Sequence, residues 1–149
     1  KGSTDLGLCY AYDLQQMKDL IGGEETFKQL PPSAIGQSTD KVTGEACGWE
    51  RKETNGDAAS LRIEVRNYGE DTAGLTTQFE SLEEATPDAE PVADLGDAAF
   101  SASDDGSNLL QVQQGQYLLT LSSRAEGSLD PVSVKGLTLL AASGLDELP

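Results

Sequence analysis

The stretch Ala46-Cys47-Gly48-Trp49-Glu50 constrains the fold more than any other part of the chain. It holds the single tryptophan and one of only two cysteines, the other being Cys9. In an extended strand, side chains two apart share a face, so Cys47 and Trp49 point the same way, into the core. A core built behind them needs apolar partners from other elements. The remaining sequence supplies these at two periods, one helical and one alternating.

Asp13 is placed to cap a helix, with Gln16 at the capping-box position three residues later. Leu14, Met17, Leu20 and Ile21 form one apolar stripe, and Gly22-Gly23 ends it. Pro31-Pro32 excludes regular helix in the weakly patterned residues 24–43, where a short strand is expected near 34–38. The Cys-Gly-Trp strand is expected to reach about Glu53, with Asn55-Gly56 in the turn that follows. Leu61, Ile63 and Val65 then alternate with Arg62, Glu64 and Arg66, the pattern of a strand with one wet face.

A second helix is expected from Asp71 or Thr72, with Leu75, Phe79 and Leu82 turned inward. Residues 86–94 are acidic, hold two prolines and read as a surface loop. Three runs follow, marked by Ala98, Phe100 and Ala102, by Leu110 and Val112, and by Tyr117, Leu119 and Leu121. Turns at Asp104-Asp105-Gly106 and Gln114-Gly115-Gln116 join them into a meander. Asp130-Pro131 predicts the last helix, with Asp as cap and Pro at the first helical position. Its Val134, Leu137, Leu140, Ala141 and Leu145 are expected to face the sheet.

The order helix, hairpin, helix, meander, helix predicts an α+β fold. The expected architecture is an antiparallel sheet of about five to six strands with two to three helices packed on one face. Residues 1–8 read as a flexible lead-in and 9–149 as one domain, a length that suits a single core.

Charge and composition narrow the chemistry. The 26 acidic and 10 basic residues give a net charge of −16, which repels nucleic acid, whose phosphates need clustered cations. No histidine is present, so Ser-His-Asp and Cys-His catalysis and ordinary zinc sites are excluded. No nucleotide-binding glycine fingerprint or nucleophile elbow occurs, and no cofactor is expected. Glu83 and Glu84 are adjacent carboxylates of the kind that so acidic a composition produces by itself. Asp104-Asp105-Gly106-Ser107-Asn108 fails the calcium-loop pattern, because the twelfth position, residue 115, is glycine where a bidentate glutamate is needed. No metal site is predicted.

One positive feature stands out. Arg51, Lys52, Arg62 and Arg66 fall on a single predicted hairpin, and Lys52, Arg62 and Arg66 are the candidate partner-binding residues, a basic island for a carboxylate, a phosphate or an acidic partner. The competing account is ordinary sheet pairing with Glu50 and Glu64. Cys9 and Cys47 are compatible either with a bridge or with two buried thiols.

In order and spacing, these residues make a recognisable set. Cys9 precedes the helix 13–22, Cys47-Gly48-Trp49 follows, and the strand 61–65 leads to Leu95-Gly96-Asp97-Ala98-Ala99-Phe100 and the Gly115 hairpin. The chain resembles an actinobacterial family of small secreted lipoproteins of unknown function, over about residues 8–148. More loosely it is similar to the PsbP-like α+β architecture of other envelope lipoproteins. The resemblance implies a Cys9–Cys47 disulfide and an extracytoplasmic location. It also implies membrane association only through a lipidated cysteine absent from this chain, and it carries over no catalytic residue. The resulting expectation is a non-catalytic binding or accessory module of the cell envelope, its partner a protein, glycan or lipid. A carrier with a lipid or small apolar ligand between sheet and helices is the first alternative, since few aromatics and many small residues leave room for one. A hydrolase working through carboxylates alone is the second.

Overall fold

The computed structural model describes residues 9, 12–23, 25–37 and 39–148, and of Glu147 the backbone. Residues 1–8, expected as a lead-in, lie outside the described residues. In chain order the elements are α1 (Leu14–Ile21), β1 (Lys28–Gln29), β2 (Ser33–Ile35), β3 (Thr43–Lys52), β4 (Ala58–Asn67), α2 (Thr72–Ala85), β5 (Glu90–Pro91), β6 (Ala98–Asp104), β7 (Ser107–Gln114), β8 (Tyr117–Ala125) and α3 (Val134–Glu147). The fold is α+β. Its antiparallel sheet has eight strands, in the order β1-β3-β4-β8-β7-β6-β5, with β2 also on the outer edge of β3.

The sheet exceeds the expected five to six strands because three pieces of two or three residues close its edges. β1 and β2 share the free side of β3, and β5 lies on β6 within the stretch read as an acidic loop. Such short pieces carry no periodic signal, and Pro91 is tolerated because an edge residue need not donate to the ladder.

Cross-strand register fixes two faces. On the inner face Cys47 opposes Ile63 and Trp49 opposes Leu61, and Ile63 and Val65 oppose Leu121 and Leu119. α1 and α3 cover this face, joining Met17, Ile21, Leu137, Leu140 and Ala141 to one core that runs from Cys9 to Leu145. Trp49 is 1% exposed. The Tyr12 ring stands edge-on to it, 5.8 Å between centroids, and the Tyr12 hydroxyl donates to the Leu140 carbonyl at 3.2 Å. One aromatic pair thus joins the start of the chain, the central hairpin and α3. Burial pushes the Tyr12 hydroxyl above the ordinary phenol range. The buried Ser123 hydroxyl donates to the Ser60 carbonyl and accepts from the Val132 amide, both at 2.8 Å, which fixes the lead into α3.

α2 packs on the opposite face. Its Leu75 and Phe79 meet Phe100 and Leu118, with Leu82 alongside. The expectation of helices on one face is therefore corrected: Phe100 and Leu118 alternate outward and need cover of their own. Three local expectations also change. Leu14 is 45% exposed, so the α1 stripe is carried by Met17 and Ile21. The Asp13 side chain makes no cap hydrogen bond, and its backbone carbonyl accepts from Met17 N instead. α3 starts at Val134 with Ser133 as cap, its side chain accepting from Gly136 N, and Asp130-Pro131 remains in the extended lead. Gly22, at φ +82°, stops α1 as its sequence predicts.

Candidate functional site

The outer face is a set of cross-strand rows read directly from the register. Lys28, Glu50, Ser60, Arg124, Ser107 and Asp104 oppose one another in turn. The next row is Gly48, Arg62, Ser122, Leu109 and Ala102. Glu64, Thr120, Gln111 and Phe100 follow, and then Arg66, Leu118 and Gln113. α2 lies over Phe100 and Leu118 and is tied to the sheet where Gln113 Nε2 donates to Thr76 Oγ1 at 2.9 Å. The rows carrying Ser60, Arg62, Ser122 and Arg124 contribute nothing to that apolar seam.

Arg62 and Arg66 share one carboxylate. Arg62 Nε donates to Glu64 Oε2, and Arg66 Nη1 donates to Glu64 Oε1 at 2.9 Å. The side chains of Arg62, Arg66 and Glu64 are 55%, 32% and 18% exposed. Burial alone raises the Glu64 carboxyl, but hydrogen bonds and charge from both arginines outweigh it, so the net shift is downward. These pairs run along β4 rather than across strands, and they leave the triplet with one net positive charge.

Because Glu64 titrates lower when folded, its contribution to stability is present above the unfolded carboxyl range and lost as pH falls through the folded value. Glu64→Gln is expected to cost about 1 kcal/mol near neutral pH, a modest figure because Arg62 is exposed. That difference from wild type should shrink below about pH 4, as thermal melts across a pH series would show.

Lys52 does not join the arginines. It opposes Ala58, whereas Arg62 opposes Gly48, a separation of four strand residues or about 13 Å. Lys52 instead lines a cleft of about 430 Å³ at the end of the sheet with Glu50, Ser60, Arg124 and Glu126. Arg124 and Lys28 were missed in the sequence. Arg124 lies three residues past Leu121, so alternation placed it opposite the core face. Which strands flank β8 was not legible. Arg51, on the same hairpin, serves structure: its Nη1 donates to the Ile21 carbonyl at 3.0 Å, and its guanidinium pairs with Glu53. It meets the negative end of α1. The Arg51 hydrogen bond, with one from Thr26, draws the Glu53 carboxyl down. Asp57 is lowered by the Ser128 hydroxyl and backbone amide.

Cys9 and Cys47 form a disulfide, so their sulfurs are committed to each other. Among the described residues the one Cys, Asp and Glu cluster close enough to share an ion is Cys9, Glu45 and Cys47, and the bridge removes its two thiolates. Asp104 and Ser107 close the β6–β7 hairpin, and Asp104 Oδ1 accepts from the Asp105 amide at 2.8 Å. Glu83 and Glu84 are consecutive on α2, where neighbours in sequence do not face each other.

No family model, curated protein or solved structure matches the chain.

Proposed function

We propose that the protein is a non-catalytic binding module of the cell envelope, working outside the cytoplasm and docking an anionic partner on the outer face of its sheet. One observation carries this. Lys28, Lys52, Arg62, Arg66 and Arg124, half of the ten cations of a chain with net charge −16, share that face. Acids on its rows are fewer, and Glu64 is already paired. Elsewhere the surface repels an anion, so charge alone orients the approach. Ser60 and Ser122 beside the arginines are short, which leaves the guanidinium groups within reach.

The remaining parts of the proposal have their own supports. A buried disulfide fits an oxidising compartment. The displaced carboxylates, Glu53, Asp57 and Glu64, are all displaced downward by neighbours that hold them ionised, which fits structure rather than proton transfer near neutral pH. No described helix is long and apolar enough to cross a membrane, and attachment through a lipid anchor outside this sequence belongs to the proposal.

The test measures retention on immobilised polygalacturonate and poly-L-glutamate against neutral dextran, over a salt series. Wild-type protein is expected to bind the anionic polymers alone, less at higher salt. Lys52→Gln/Arg62→Gln/Arg124→Gln should weaken retention by roughly tenfold, at about half a kcal/mol per lost charge. Arg66 is left in place so that Glu64 keeps a partner and folding is undisturbed. Retention that ignores the triple substitution, or dextran binding of equal strength, would refute the proposal.

A further inference from the structure

The outer face does not end where α2 begins. Between α2 and β4, β8 and β7 lies a cleft of about 310 Å³. Arg66, Tyr68, Gln78, Gln111 and Thr120 bring polar groups to it, and Leu82 and Leu118 give it an apolar wall. From this lining we infer that the cleft binds a small hydroxylated carboxylate, either a free sugar acid or the uronic unit of an acidic glycan. The inference rests on reading the outer face as the binding face.

Gln111 is the residue that points to a ligand. It is 6% exposed, and its Oε1 accepts from Thr120 Oγ1 at 2.6 Å. Its Nε2 donates to no described residue, although the side chain lines the cleft. A buried amide left with a free donor at a cleft wall is a preformed place for an incoming acceptor. Arg66 stands two rows of side chains away across the same opening. Only its Nη1 is engaged, by Glu64, so the other edge of the guanidinium fork remains for a carboxylate. Tyr68 brings an aromatic ring beside Arg66, and burial raises its phenol so that it stays a neutral donor.

Three features choose among anions. The Arg62-Glu64-Arg66 triplet has one net positive charge, which matches a monoanion better than a phosphate dianion. α2 contributes Gln78 and Leu82, from its middle and its C-terminal half. The positive end of the helix is therefore not aimed at the ligand, unlike a phosphate site. Finally, two amides and two hydroxyls surround the single cation, more polar partners than an aliphatic acid would use. Leu82 and the Tyr68 ring suit the apolar face of a pyranose.

The experiment follows backbone amide resonances of the intact protein on addition of D-galacturonate, trigalacturonate, D-galactose, acetate and inorganic phosphate. D-Galacturonate is expected to shift amides at Tyr68, Leu82, Gln111 and Thr120 saturably. D-Galactose, acetate and phosphate should each bind about tenfold more weakly or not at all, for want of one charged hydrogen bond or of the hydroxyls. Trigalacturonate binding more tightly than the monomer identifies the glycan source, and equal binding the free acid; both support the site. Gln111→Leu should weaken galacturonate by about tenfold or more. Because Gln111 is buried, the exposed Gln78→Ala and the charge-preserving Arg66→Lys are measured beside it, and both should weaken binding with melting unchanged. Phosphate or galactose binding as well as galacturonate, or galacturonate leaving these amides unmoved, would overturn the inference. Polygalacturonate retention together with unmoved cleft amides removes the cleft alone, whereas loss of both removes the outer-face reading as well.

Discussion

Replacing Cys9 and Cys47 together by alanine is expected to lower stability by about 4 kcal/mol. The bridge closes a loop with a sequence separation of 38, and the chain-entropy relation for that length gives this figure. For a chain of this size the loss corresponds to a fall in melting temperature of roughly 8–16 °C. The chain before α1 has few other attachments to the sheet. Cys9 is 1% exposed and sits against the Cys47 strand, and Tyr12 reaches α3 through one hydrogen bond. Reduction of the wild type should reproduce the change, followed by circular dichroism with and without a thiol reagent. A melting temperature that moves by less than about 3 °C in both would show that this segment adds no constraint to the unfolded chain.

Trp49→Ala is expected to cost about 3–5 kcal/mol, the range for deleting a large aromatic from a close-packed site. The cavity would open between Leu61 on β4 and the Tyr12 ring, and neither wall is free to collapse into it. Leu61 is fixed by the ladder, and Tyr12 by its bond to Leu140 O. Trp49→Phe should recover part of the loss because it keeps an edge-to-face partner for Tyr12. Denaturant titration checks both variants. Trp49→Ala within 1 kcal/mol of wild type would mean the indole is not the keystone its burial indicates.

The central hairpin was legible because its signals agree at several levels. Alternation at Leu61, Ile63 and Val65, the Asn55-Gly56 turn and the Cys47–Trp49 pair all name the same inner face. The second face was harder. Tyr117, Leu118 and Leu119 are consecutive apolar residues, and such a run marks a strand covered on both sides, yet alternation alone credits only Tyr117 and Leu119. Leu118 is 2% exposed against α2. Arg62 and Arg66 were placed together correctly because a strand repeats every second residue. Lys52 was not, because grouping by hairpin ignores distance along it. Gln111 carried no local signal at all: its environment comes from α2, whose docking side depends on Phe100 and Leu118 jointly. Properties set within one strand were readable, and those set by a neighbour across the sheet were not.

The unequal division of apolar side chains between the two faces has a consequence for how the molecule opens. On the α1 and α3 side the buried cluster extends across four strands. α2, by contrast, is anchored by Leu75 and Phe79 on Phe100 and Leu118, with one side-chain hydrogen bond to β7. Such an element belongs to the least protected cooperative unit, whose amides exchange through sub-global opening before the rest unfolds. The cleft at Gln111 has one wall on this unit and the other on the stable sheet. Anything held there closes the two together, so its binding free energy adds to the local folding free energy of α2. Occupancy and helix docking are then one equilibrium, and the weakest seam of the fold becomes the place where a bound molecule is felt most.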